Sequence, residues 1–158
     1  MTTQVNVSAN VQVNVSANVQ VTIQEAATGA ILSQQEHKNL VVSGGLDLVR
    51  DLLDGDAVAG LTHFAVGTGT VAVAASQTTL DTEVYRDTVT QRTSGSQQLV
   101  VSYYLSSLSA NGNALAEAGL FNAASGGTMF ARVLLSPAIT KTSAIAVTFN
   151  WTINLGAS

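Results

Sequence analysis

Cysteine is absent from the 158 residues. That excludes disulfides, thiolate catalysis and cysteine-ligated zinc. Charge is scarce: 10% of residues are Asp, Glu, Lys or Arg, against about 25% in ordinary soluble domains. Lys and Arg number six, the net charge is -4, and no basic stripe forms, so nucleic acid is not an expected partner. Met1-Thr2-Thr3-Gln4 has neither a basic n-region nor a continuous apolar h-region, so no secretory signal is expected. No apolar run approaches the ~20 residues of a membrane helix. Membrane β-strands of about 9–11 residues need many sister strands, which the chain does not supply, so no membrane partner is expected. Aromatics make up only 5% and there is one proline.

What the chain does have, first of all, is a repeated strand pattern. Gln4-Val5-Asn6-Val7-Ser8-Ala9-Asn10-Val11 recurs as Gln12-Val13-Asn14-Val15-Ser16-Ala17-Asn18-Val19, and a third copy starts at Gln20-Val21. Odd positions from Val5 to Ile23 are apolar and even positions from Gln4 to Gln24 are Gln, Asn, Ser or Thr. Strict alternation makes an extended strand with one apolar face. At ~3.3 Å per residue it would reach on the order of 65 Å, far beyond a usual strand. No charge, proline or glycine blunts its edges before Glu25, so it is a template for pairing with other chains. Residues 1–24 are therefore read as an inter-subunit arm and 25–158 as the folded domain. The arm is expected to bury Val5, Val7, Val11, Val13, Val15, Val19, Val21 and Ile23 against neighbours. At about 1.5–3 kcal/mol each, that would stabilise an assembly by more than ~10 kcal/mol before ordering costs. Deleting Met1 to Gln20 is expected to leave the domain folded. The low charge also fits a surface covered by neighbours; the alternative is a small Ser/Thr-rich β-protein with a neutral polar surface.

Beyond the arm, Ala27-Thr28-Gly29 reads as a hairpin turn between Val21–Ala26 and Ala30–Val42. Leu46, Val49, Leu52 and Leu53 fall at helical spacing, which predicts a short helix from Gly45 to Leu53 with Ser43 or a nearby residue as cap and Gly55 as stop. Further strands are expected at Leu61–Val66, Val84–Thr93, Gln97–Ser106, Leu115–Phe121, Thr128–Leu135 and Ile145–Leu155, with Val71–Thr79 a surface loop. Tyr103 and Tyr104 fall on opposite faces. About seven strands and one helix predict a mainly β fold, an antiparallel β-sandwich or flattened barrel, with the long N-terminal β-arm attached. Phe64, Tyr103 or Tyr104, Leu120, Phe130, Phe149 and Trp151 are the expected core anchors.

Catalytic signatures are sparse. His37 and His63 are the only imidazoles, and His63, between Thr62 and Phe64, reads as structural. Gly67-Thr68-Gly69-Thr70 lacks the lysine and helix of a phosphate loop and reads as a tight turn. Asp51, Asp54 and Asp56 do not follow the EF-hand ligand spacing. Neither a cofactor nor a metal is expected, nor is enzyme activity. Glu83 or Asp87 can pair with Arg86. Glu117, within the apolar stretch Leu115–Phe121, either faces solvent or needs a partner such as Arg132 or Arg86.

Several segments together resemble a known family. They are Leu61-Thr62-His63-Phe64-Ala65-Val66-Gly67-Thr68-Gly69 and Thr78-Thr79-Leu80-Asp81-Thr82-Glu83-Val84-Tyr85-Arg86, then Glu117-Ala118-Gly119-Leu120-Phe121-Asn122 and Gly126-Gly127-Thr128-Met129-Phe130-Ala131-Arg132. With Asn39-Leu40-Val41-Val42-Ser43-Gly44-Gly45-Leu46 leading into the helix, they look like the N-terminal domain of bacteriophage tail-collar fibre proteins, over roughly Lys38 to Leu155. The resemblance implies a β-rich domain, usually trimeric, that attaches a fibre to a tail or baseplate. His63, Gly67, Gly69, Glu83, Arg86, Glu117, Gly119 and Arg132 are then its structural motif residues. The expectation is a virion structural protein with other virion proteins as partners: a tail fibre or fibre–baseplate connector that assembles as a homotrimer by strand exchange through its arm. A capsid decoration or head-fibre protein is the alternative, and a carbohydrate-binding receptor module ranks lower. The repeat arm and the end at Ser158 depart from the family pattern and turn the expectation from receptor binding towards a connector or decoration role.

Overall fold

A computed structural model describes residues 13–157. Val5, Val7 and Val11 lie outside the described residues. The described residues form ten strands and one helix in the order β1 (Val13–Glu25), β2 (Ile31–Lys38), β3 (Leu40–Val41), α1 (Ser43–Asp54), β4 (His63–Gly67), β5 (Glu83–Thr88), β6 (Gln91–Gly95), β7 (Gln98–Leu105), β8 (Ala114–Phe121), β9 (Met129–Thr140) and β10 (Ile145–Ala157). Two antiparallel five-stranded sheets result, ordered β2-β1-β10-β7-β6 and β3-β9-β8-β4-β5. This is the mainly β, sandwich-type fold that the alternation predicts.

The core lies between the sheets, where alternation puts one face of each strand inward. Phe64 stacks on Tyr103 with ring centroids 4.5 Å apart and meets Phe149 at 4.7 Å, distances at which aromatic pairs attract. Leu120, Phe130 and Trp151 are buried beside them. Tyr103 and Tyr104 do occupy opposite faces, the first buried and the second 49% exposed.

The second half of the expected arm is corrected. Val13–Glu25 is not left for another chain: it pairs with β10 along its whole length, from Val13 opposite Ala157 to Glu25 opposite Ile145. It also pairs with β2 from Asn18 to Gln24. Val19 and Val21, opposite Trp151 and Phe149, are fully buried in the chain's own core. The reason is the partner at the other end of the sequence. Val147, Phe149, Trp151 and Ile153 carry the same period as Val19, Val21 and Ile23, so matching apolar faces meet within one molecule. The boundary drawn at residue 24 therefore falls inside β1. A deletion through Gln20 would strip the core, not just an appendage.

Local readings are refined in the same way. The hairpin turn stands as expected, with Gly29 at φ +74°. The helix starts earlier, at Ser43, and the residue before it, Val42, gives no side-chain cap; the Ser43 N–H donates to the Ala75 carbonyl instead. Gly55 ends the helix at φ +86°, as expected. The single strand expected at Val84–Thr93 is two, β5 and β6, in different sheets. The chain crosses between the layers at Val89 and Thr90, whose N–H groups donate to the Thr62 and Ser102 carbonyls.

Candidate functional site

Apart from His63, the motif residues gather on the outer face of the second sheet and in the loop over it. Glu117 and Gly119 on β8 and Arg132 on β9 point there, because Gly119 pairs with Arg132 and side chains of a paired position share a face. The loop between β4 and β5 folds over them and completes a small second core of Val42, Ala65, Leu80, Phe121 and Met129.

Glu117 is the centre. It is fully buried. Its Oε1 accepts the N–H of Gly69 at 3.1 Å and of Thr82 at 2.7 Å, and its Oε2 accepts the N–H of Asp81 at 3.0 Å and Arg132 Nε at 2.8 Å. Burial alone would raise this carboxyl. The backbone donors of Thr82 and Asp81 and the Arg132 guanidinium outweigh it and hold the group below the usual carboxylate range. Arg132, also fully buried, reaches on through Nη1 to the Val71 carbonyl at 2.8 Å and Gln77 Oε1 at 3.0 Å. One ion pair thus fastens both ends and the middle of the 68–82 loop.

The glycines follow from this. A Cβ on Gly67 would collide with Glu117 and the Thr82 carbonyl, and one on Gly69 with Glu117 and Asp81. The Gly67-Thr68-Gly69-Thr70 loop is therefore built around an internal carboxylate: the Gly69 N–H donates to Glu117 and the Thr68 N–H to the Thr82 carbonyl. Arg86 makes a second tie. It grips Glu83 with two hydrogen bonds, at 2.9 and 2.6 Å, donates to the Ala123 and Gly126 carbonyls at 3.0 Å each, and lies 3.6 Å above the Phe121 ring. The turn after β8 is held to β5 by that guanidinium. Of the two partners open to Glu117, Arg132 takes it and Arg86 goes to Glu83. His63 stays apart from this network; its Nδ1 lies 2.8 Å from the hydroxyl of its neighbour Thr62.

Two features of the surface were not legible in the sequence. An apolar cavity of about 400 Å³ opens beneath α1, between Leu48, Leu52, Leu61, Leu99, Ile153 and Leu155. A notch of about 460 Å³ lies beside the first half of β1, bounded by Val15, Ala17, Asn39, Leu40, Val41 and Leu46. Both need the packing of distant segments, which no local pattern encodes. Among the described residues no group of three or more His, Asp or Glu side chains is placed to hold a metal, and no helix is long and apolar enough to cross a membrane. Compared with protein-family models, with curated proteins and with solved structures, the chain finds no match.

Proposed function

We propose that this chain is a non-enzymatic structural subunit of a bacteriophage particle, a tail fibre or fibre–baseplate connector that assembles, as a trimer, through its N-terminal repeat. The observation that carries this reading is the convergence of the resembling segments on one latch. Gly67, Gly69, Glu117 and Arg132 hold a loop on a sheet, and Glu83 and Arg86 hold the neighbouring turn. These are framework roles, in keeping with motifs that define an attachment domain. The apolar repeat upstream of β1 supplies the means of assembly, by strand addition to a neighbouring subunit.

The capsid decoration or head-fibre reading is supported equally by the repeat, because an arm that adds strands suits either end of a particle. The carbohydrate module draws less support: Phe64, Tyr103, Phe121, Phe130, Phe149 and Trp151 are all buried, Tyr85 is half-buried, and Tyr104 is exposed among the described residues.

The test is location. Purified particles from a host producing this chain should contain it, and separate mass spectrometry of tails and tailless heads assigns the end. A chain found only outside particles would overturn the virion reading. The arm is tested by removing Met1–Val11 and leaving all of β1. The truncated domain should keep its circular dichroism and lose its place in the particle.

A further inference from the structure

The notch beside β1 has features of an unfilled strand position. β10 covers one edge of β1 from Val13 to Glu25, but β2 covers the other only from Asn18 onward, because the chain leaves the sheet after Lys38 for β3. Among the described residues, Val13–Ala17 has no strand on that second edge. At ~3.3 Å per residue the open stretch is about 16 Å long. Its bonding groups face outward. The Leu155 N–H donates to the Gln97 carbonyl, away from β1, so its partner Val15 must turn its own N–H and C=O away from β10. Glu25, of the same parity, donates on the β2 side, to the Ala30 carbonyl. Ala17 shares that parity, so its N–H also faces the open side.

The side chains agree with the backbone. Val19 and Val21 are fully buried, whereas Val15 and Ala17, on the same face, are only partly covered. Leu46, at the start of α1, stands 49% exposed over the notch. Both polar atoms of the Asn39 side-chain amide are buried without a hydrogen-bond partner among the described residues. An amide offers the same donor and acceptor as a peptide group.

From these features we infer that the open edge of Val13–Ala17 receives the first octapeptide, Gln4–Val11, of a second copy of this chain. This rests on the assembly reading above and gives it an address. The octapeptide is identical to Gln12–Val19, so it has the alternation this sheet already accepts. Its valines would cover Leu46, Leu40 and Val41 while its backbone pairs with Val15 and Ala17. The same copy is a poor donor. Folding back along β1 needs a tight turn within Ala9-Asn10-Val11-Gln12, which has no glycine and sets β-branched Val11 beside Asn10, where a two-residue hairpin asks for a second residue at positive φ. Donation from each copy to the next closes into a ring if the rotation closes, and a trimer is one such ring.

Because the chain has no cysteine, the contact can be read by a disulfide between two singly substituted full-length chains of different size. Val7→Cys in one and Leu46→Cys in the other, mixed and oxidised, should give a mixed dimer band. Absence of that band, or a bond forming only within a doubly substituted chain at all dilutions, would overturn the inference. Two folded variants provide a second reading by sedimentation. Ala17→Pro removes an outward N–H without touching the β10 ladder, and Leu46→Glu charges an exposed position. Both should lose the oligomer while keeping the circular dichroism of the parent; an unchanged oligomer in either would count against the address. The two readings fail separately. A mixed dimer from a chain absent from particles would sink the virion reading alone. Incorporation without the mixed dimer would sink this inference alone.

Discussion

Glu117 and Arg132 sit diagonally across β8 and β9, both fully buried, with Arg132 Nε 2.8 Å from Glu117 Oε2. The pair is less a bond between two strands than a hub for the 68–82 loop, whose Gly69, Val71, Gln77, Asp81 and Thr82 all bond to one or other of its members.

Breaking the hub from one side should therefore be costly. Glu117→Gln leaves the Arg132 charge buried and unpaired, and a loss of about 3–5 kcal/mol is expected by urea denaturation. Arg132→Leu should cost a similar amount. The double variant Glu117→Leu with Arg132→Leu should lose less than the sum, because no isolated charge remains. It should still expose Val71–Thr79 to protease, because the loop's backbone donors have lost their acceptor. An additive double variant would mean that the two charges do not depend on each other.

Acid should act through the same carboxylate. Its folded value lies below the ordinary 4.5, so the unfolded chain takes up the proton first as pH falls. The stabilisation is fully present above pH 4.5 and is lost as pH drops through the folded value. Urea midpoints of the parent should fall in this window more steeply than those of Glu117→Gln. Parallel curves would mean that Glu117 gains nothing from its donors.

How much of this could be read from the residues alone depends on the distance over which each pattern acts. The Gly29 turn, the Gly55 helix stop and the alternating strand of Phe149 and Trp151 are local signals, and all were legible. The fate of Val13–Glu25 was not, because its partner strand begins at Ile145. A long alternating segment looks unfinished until its complement at the far end of the chain is matched to it. The Glu117 latch was half legible. A carboxylate in an apolar stretch announces a buried partner, but only the register of β8 on β9 chooses Arg132 over Arg86. The bonds give Gly69, Glu117 and Arg132 one physical task, which is to hold the 68–82 loop.

Gly69 offers a test of that task. A methyl group there would meet the Glu117 and Asp81 carboxylates, so Gly69→Ala should destabilise by about 1–3 kcal/mol, the usual cost of overpacking. Gly60→Ala is the control, since nothing lies within 4 Å of its added carbon; its midpoint should shift by no more than ~0.5 kcal/mol. Equal effects at the two positions would show that the loop does not press on Glu117.

Lys141 is a buried cation of a different kind. Its ammonium donates to Asn111 Oδ1 at 2.9 Å and the Thr142 carbonyl at 3.0 Å, both neutral, and is fully buried. Burial pushes its value below the ordinary 10.5. The unfolded chain then holds this proton to higher pH than the folded one, so stability should rise with pH between the folded value and 10.5. Replacement by Met removes the titration but strips Asn111 of its donor, a loss of about 1 kcal/mol that does not vary with pH. The difference in urea midpoint between the parent and Lys141→Met should therefore grow in the parent's favour as alkali is added. A difference that stays level across this range would mean that water reaches the ammonium in the folded chain.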